Sequence, residues 1–400
     1  MEEKTLPAQT YPAMTISNTH PSLLPTGLAD VLPPAAAAQA SASQRAMAVF
    51  QREGYEHAEP PMLEFEDSFL AGAGDALTRE TFRMMDPQSQ RMLALRSDMT
   101  PQMARLASTR LAAAPRPLRL CYAGSVLRVS GGSSARDRQL RQAGAELFGS
   151  RAAEADAEIV LLAVAALSAI GINNISVDLN VPRMAGDLTA GLGLSSAAKA
   201  SLMIALDRKD TAEMHRLAPA AADMLIALTK IGGPAEEAFR ASQAIALPDA
   251  ASERLTRLAE ITALIRADAP DLDLTIDFVE HRGFDYHTGV AFSLFAAGHD
   301  RELGHGGRYR APALNRDNGE PAVGFSLFMD AVEAAAPKPE SSVRVYTPAV
   351  MSAADRQKVQ ALGYITVRAL GPDADPAATA SALNCDAFWR GDDVIFLKDE

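Results

Sequence analysis

Cysteine, tryptophan and basic residues are all scarce in this chain. Two cysteines in 400 residues, Cys121 and Cys385, are too few and too far apart for a disulfide framework or a four-ligand zinc site, which fits a reducing cytoplasm. Both are expected as small core residues. Lys and Arg number 38 against 50 Asp and Glu, giving a net charge of -12 and a pI near 5.2. Gripping a phosphate backbone is therefore not the chain's main work. No run reaches roughly 18 consecutive apolar residues, and Met-Glu-Glu-Lys at the start lacks the basic-then-apolar order of a secretory signal. The expectation is a soluble, cytoplasmic protein with neither nucleic acid nor membrane as partner.

At 48% hydrophobic and 22% charged, the chain can bury one large core and one smaller one, so two or three domains are expected. Residues 1–22 mix Pro, Thr, Ser and Asn without periodicity and read as a mobile tail, ahead of a main domain over 23–336. An Ala-rich helical run from about Ala35 to Glu53 closes at Gly54. Pro60-Pro61 forces extended backbone and belongs at an edge or an interface. Strands are expected at Phe82–Met85, Met92–Leu95 and Leu118–Tyr122, and helices from about Gln102 to Ala113 and Ala152 to Ala169. Residues 184–270 are Ala- and Leu-rich with breaks at Gly191-Leu-Gly193, Gly232-Gly-Pro234 and Pro248, and read as a helical insertion. Pro337 to Ser342 is a linker by composition, and 343–400 reads as a small α/β module.

Polar groups concentrate in three stretches. Arg282-Gly-Phe-Asp-Tyr-His-Thr-Gly lies between the apolar runs Leu274–Phe278 and Val290–Phe295, so Arg282, Asp285, Tyr286 and His287 stand beside a sheet, as a pocket for a small zwitterion needs. Gly306 and Gly307 let backbone approach a ligand and Tyr309 offers a ring and a hydroxyl, although a polar hairpin tip followed by a Gly-rich turn has the same pattern. In Asp98-Met-Thr100-Pro, the first and third residues share a side if the chain is extended, while Thr100 before Pro101 also has the form of a helix N-cap. Gln142 and Glu146 share a face whether Gln139–Phe148 is helical or extended; an amide and a carboxylate pointing one way suit an ammonium or an imidazole, or simply solvent. The Ser130–Asp137 loop and a turn at Gly304–Gly307 are candidates to become ordered on binding.

Four stretches occur in order: Leu95-Arg-Ser-Asp-Met-Thr100, Leu127-Arg128, Arg138-Gln-Leu-Arg-Gln-Ala-Gly-Ala-Glu146-Leu-Phe-Gly149, and Arg282-Gly-Phe-Asp-Tyr286 with Gly306-Gly-Arg-Tyr309. Together they resemble the catalytic domain of class II histidyl-tRNA synthetases over roughly residues 22–335. The resemblance implies an α+β fold, a class II synthetase-like antiparallel sheet of about six strands flanked by helices, dimerising around Pro60-Pro61. It departs where such enzymes handle ATP. Asp330-Ala331 stand where Glu-Arg would close the third motif, and Leu127-Arg128-Val-Ser130 keeps the Arg of the second motif and loses its Glu. A carboxylate beside a triphosphate repels it, so adenylation is not expected. A phosphoribosyltransferase acting alone would need a diphosphate loop, and Asp392-Asp393-Val lacks the Thr- and Gly-rich turn.

A histidine pocket without ATP and tRNA machinery is similar to the regulatory-subunit family of ATP phosphoribosyltransferase, the synthetase paralogues of histidine biosynthesis. That likeness implies no catalysis of its own, no cofactor and no metal. It further implies a short-form catalytic subunit as partner, histidine as feedback effector, and a self-dimer within a hetero-oligomer. Residue by residue, it implies Asp98, Thr100 and Gln142 for an α-ammonium, because an ion with three donors wants a carboxylate and neutral oxygens around it. Arg128 and Arg282 would face the carboxylate, and Glu146 and Tyr309 the imidazole, with Tyr286 nearby. His287 stands where synthetases commonly carry a second Tyr, and a hairpin-tip position without a role fits it equally.

Overall fold

The computed structural model describes residues 23–70, 75–130, 138–280, 286–313, 316–338 and 342–397. The expected tail 1–22, Arg282, Asp285 and nearly all of the Ser130–Asp137 loop lie outside them. The chain divides into two compact units between Pro337 and Lys338.

In the larger unit, the strands β1 (Glu56–His57), β2 (Leu63–Phe65), β3 (Arg83–Met85) and β4 (Met92–Leu95) are followed by β5 (Leu118–Leu127), β6 (Gln139–Phe148) and β7 (Ile175–Asn180). After them come β8 (Gly233–Pro234), β9 (Asp273–Asp277), β10 (His287–Ala296), β11 (Gly304–Ala313) and β12 (Arg316–Phe328). One sheet runs β1-β5-β6-β12-β11-β10-β7-β9-β8, and β2-β4-β3 form a second. The six strands from β5 to β7 in that order pair antiparallel, matching the expected sheet. Three short strands extend it: β1 and β9 join in parallel and β8 antiparallel. A parallel partner needs a long crossover, and the helices between Met184 and Asp268 supply it for β7 and β9.

Alternation assigns the two faces of this sheet. On β6, Ala143, Ala145 and Leu147 enter the main core with Val323, Phe325 and Leu327 of β12. Against that face packs the helix Ala153–Ile170, apolar nearly all round and ended by Gly171 at φ 100, a left-handed cap that glycine adopts without strain. The helix Ala35–Arg52 covers the same face through Ala42, Ala46 and Phe50, spaced by four. The opposite face carries Gln142, Gly144 and Glu146, and the helix Thr100–Ser108 lies over it with Met99, Met103 and Ala107 packed among Leu120, Tyr122 and Tyr309. The smaller unit has its own sheet, in which β13 (Arg344–Thr347), β14 (Ile365–Arg368), β15 (Ala387–Arg390) and β16 (Asp393–Phe396) take the order β14-β13-β15-β16. Both cysteines are buried and free, Cys121 in the larger core and Cys385 in the smaller.

Arg308 fixes β11 from behind. Its guanidinium meets Asp156 Oδ1 and Oδ2 at 2.8 Å each and donates to the Ser150 carbonyl at 2.6 Å, tying the strand to the start of the helix Ala153–Ile170. Asp156 is buried, with Arg257 Nη2 as a further partner at 3.2 Å. Arg308→Ala strands part of a buried charge, so unfolding by urea should show a loss of about 3 kcal/mol. A change below about 1 kcal/mol, the usual worth of an exposed pair, would mean the clamp is not structural.

Candidate functional site

The cavity sits where the helix Thr100–Ser108 begins above the polar face of the sheet. It holds about 270 Å³, including its open mouth, and is lined by Asp98, Thr100, Glu146, Tyr286, His287, Tyr309 and neighbours. Its polar lining suits a small polar ligand.

One end is built from the loop before that helix. Asp98 Oδ1 accepts from the Thr100 amide at 2.8 Å, so Asp98 and not Thr100 satisfies the helix start. The helix covers Thr100–Ser108, starting before the expected Gln102 with its first amide met by Asp98, and ending before the expected Ala113. Gln142, fully buried, donates from Nε2 to Asp98 Oδ2 at 3.2 Å while its Oε1 accepts from the Met99 amide at 3.1 Å. Gln142 thus stands behind Asp98 and orients it. Arg128 Nη2 lies 3.9 Å from Asp98 Oδ2 and its Nε donates to the Ser97 carbonyl at 3.3 Å, so its charge reaches the cavity through Asp98.

At the other end Tyr309 donates to Glu146 Oε2 at 2.9 Å. Burial pushes the Glu146 carboxyl from 4.5 to about 8, against hydrogen bonds from Tyr309 and Thr100 and with the Asp98 charge adding to the rise. The Tyr309 hydroxyl is held well above its ordinary range by burial and then by Glu146. Tyr122 bridges the middle, its hydroxyl 2.8 Å from Ser326 Oγ and 3.4 Å from Thr100 Oγ1. One carboxylate, a buried carboxyl that a bound cation would help to ionise, and several neutral hydroxyls in so small a space form a site for cationic N–H groups.

The raised Glu146 pKa has a consequence for the empty protein. Below pH 4.5 this carboxyl is protonated folded and unfolded alike; above that, the unfolded chain ionises first, so its contribution to stability is lost as pH rises through about 8. Melting from pH 5 to 9 should therefore show Glu146→Gln gaining on wild type as pH rises, and parallel curves would refute the assignment.

The space exists because side chains are missing from the floor. A Cβ at Gly324 would fall within the Glu146 carboxylate and 2.7 Å from the Ala145 carbonyl, and one at Gly307 would come within 2.6 Å of His287 Cδ2. Gly306 faces the other way, towards Phe325 and Phe292. The segment Gly304–Gly307 is the start of β11, hydrogen-bonded between β10 and β12, which corrects the expected turn and removes it as a part to be ordered on binding. His287 is likewise a buried strand residue opposite Tyr309, with the Tyr286 ring 3.9 Å from its own. Tyr286 is 51% exposed and stands at the mouth.

The structure brings together Asp98, Thr100, Glu146, Tyr286, His287 and Tyr309, with Gln142 and Arg128 one layer back. His305 and Ser326 also line the cavity and were not singled out from sequence. Reading Gly304–Tyr309 as a strand would have put His305 on the same side as Gly307 and Tyr309, by the period of two. Among the described residues no group of three His, Cys, Asp or Glu could hold a metal ion, and no helix is long and apolar enough to cross a membrane.

A six-stranded antiparallel core carrying a small polar cavity under a helix start is the architecture of a class II synthetase-like domain. A solved structure from Bacillus halodurans, described as an ATP phosphoribosyltransferase regulatory subunit/histidyl-tRNA synthetase, superposes with a TM-score of 0.77 at 22% identity, covering 92% of this chain and 97% of that one. The family model for histidyl-tRNA synthetase matches residues 27–332. Relatives named ATP phosphoribosyltransferase regulatory subunit are 45% identical in Rhodospirillum centenum and 46% in Paramagnetospirillum magneticum. Each covers 94% of this chain, and the matches span 97% and 98% of the relatives. The chain belongs to the ATP phosphoribosyltransferase regulatory subunits, within the histidyl-tRNA synthetase-like family.

Proposed function

We propose that this chain activates a short-form ATP phosphoribosyltransferase catalytic subunit in the cytoplasm, has no catalysis of its own, and binds histidine to impose feedback inhibition. The carrying observation is the cavity itself, with Asp98 held by Gln142 at one end and Glu146 held by Tyr309 at the other. Free histidine presents an ammonium and a ring N–H: Asp98, oriented by Gln142, and Thr100 take the first, Glu146 and Tyr309 the second, and Tyr286 and His287 flank the ring. Arg282, with Arg128 behind Asp98, receives the carboxylate. Asp330, ion-paired with Arg301 at the head of the helix Met329–Ala335, supports a site without nucleotide chemistry. The synthetase-like domain 23–336 holds the effector, and removal of the module 343–400 should leave histidine binding in place. Histidine inhibits by binding one assembly state more tightly than another, and substrate affinity falls by the same coupling factor.

The test is phosphoribosyl transfer to ATP by a short-form catalytic subunit from the same source. This chain alone should be inert, the mixture active, and histidine inhibitory. A mixture no more active than the catalytic subunit alone would sink the regulatory reading.

A further inference from the structure

Beside Glu146 the cavity face of the sheet is bare at Gly324 and Gly307, and it closes two residues further along the strands. There His305 pairs with Ser293 on β10 and Ser326 on β12, and its ring meets Phe328 edge-on, with centroids 5.1 Å apart and planes at 84°. His305 is braced: its Nδ1 lies 3.2 Å from Glu302 Oε1, an oxygen that also accepts from Ser293 Oγ at 2.8 Å. Phe328, the last residue of β12, is the register partner of Gln142, which holds Asp98. With an ammonium at Asp98 and a ring at Glu146, the carboxylate is the one non-hydrogen substituent of a ligand's α-carbon still to be housed. Beyond the glycine floor stand two packed rings, His305 in the cavity lining and Phe328 against it.

Resting on the reading of this cavity as a histidine site, we propose that His305 and Phe328, braced by Glu302 and Ser293, form an end wall that admits an amino acid with a bare carboxylate and excludes one whose carboxyl carries a bulky group. The wall would make the pocket selective for the free end product over activated or esterified forms of the same amino acid.

Calorimetry on the full chain tests this with two probes, L-histidine and a stable sulfamoyl-adenosine mimic of histidyl adenylate. Wild type should prefer histidine by roughly 100-fold or more, and His305→Ala and Phe328→Ala should each reduce that preference to less than about 10-fold, with the histidine affinity of Phe328→Ala nearly unchanged. Circular dichroism checks the fold of each variant, and Phe328→Leu, which shortens the ring without emptying the site, replaces Phe328→Ala if that protein is unfolded. Equal binding of both probes to wild type overturns the wall, as does a wild-type preference kept by the folded variants. Absence of histidine binding in wild type overturns the histidine reading first, and the wall with it, so the two failures are told apart.

Discussion

Glu146→Gln should weaken histidine binding by roughly 10- to 100-fold, the worth of a hydrogen bond to a charged acceptor in a buried site. The substitution keeps the shape and the capacity to accept from Tyr309, and removes the carboxylate that an imidazolium or ring N–H would meet. In the mixed enzyme, histidine inhibition should shift to correspondingly higher concentration while activation by the subunit persists. The same variant should be more stable than wild type above pH 8, since an ionised carboxylate need no longer be buried. Affinity and stability thus move in opposite directions. A folded Glu146→Gln protein with unchanged histidine affinity would remove Glu146 from the site.

Gly324→Ala should abolish measurable histidine binding with a methyl group on the opposite strand. Its Cβ would collide with the Glu146 carboxylate and lie 2.7 Å from a β6 carbonyl, so either Glu146 leaves its bond to Tyr309 or the β6–β12 pairing widens. Overpacking of this kind costs about 1–3 kcal/mol of stability, within what a large core can absorb. Gly186→Ala is the control: nothing lies within 4 Å of that Cβ, and in the helix Met184–Thr189 it should raise stability by about 0.5–1 kcal/mol. Histidine binding by Gly324→Ala at wild-type strength would show that Glu146 can relocate without loss.

Much of the fold was legible because its strands alternate and its helices repeat. Val290, Phe292 and Leu294 on β10, and Ile175, Val177 and Leu179 on β7, mark their buried faces by period alone. Gln139–Phe148 left helix and strand open, since both put Gln142 and Glu146 on one side; its pairing with β5 and β12 decides for strand. The Gly304–Gly307 segment misled for a physical reason. Glycine is the common residue of turns, and here it serves a sheet whose cavity face must be bare. Asp98 as the group satisfying the helix start was hidden because Thr100-Pro101 carries the stronger local signature, while the Gln142 contact that orients Asp98 spans 44 positions. His305 was invisible for the same reason as its glycine neighbours.

The clamp of Arg308 on Asp156 bears on how a ligand would be received. β11 carries Arg308 towards the helix behind the sheet and, on its other side, His305, Gly307 and Tyr309 towards the cavity. The strand that presents these groups is therefore set in position by folding, before any ligand arrives. Little conformational entropy remains to be lost there on association, so the affinity of the pocket is governed by the contacts themselves, and a rapid, single-step approach is the natural kinetic outcome.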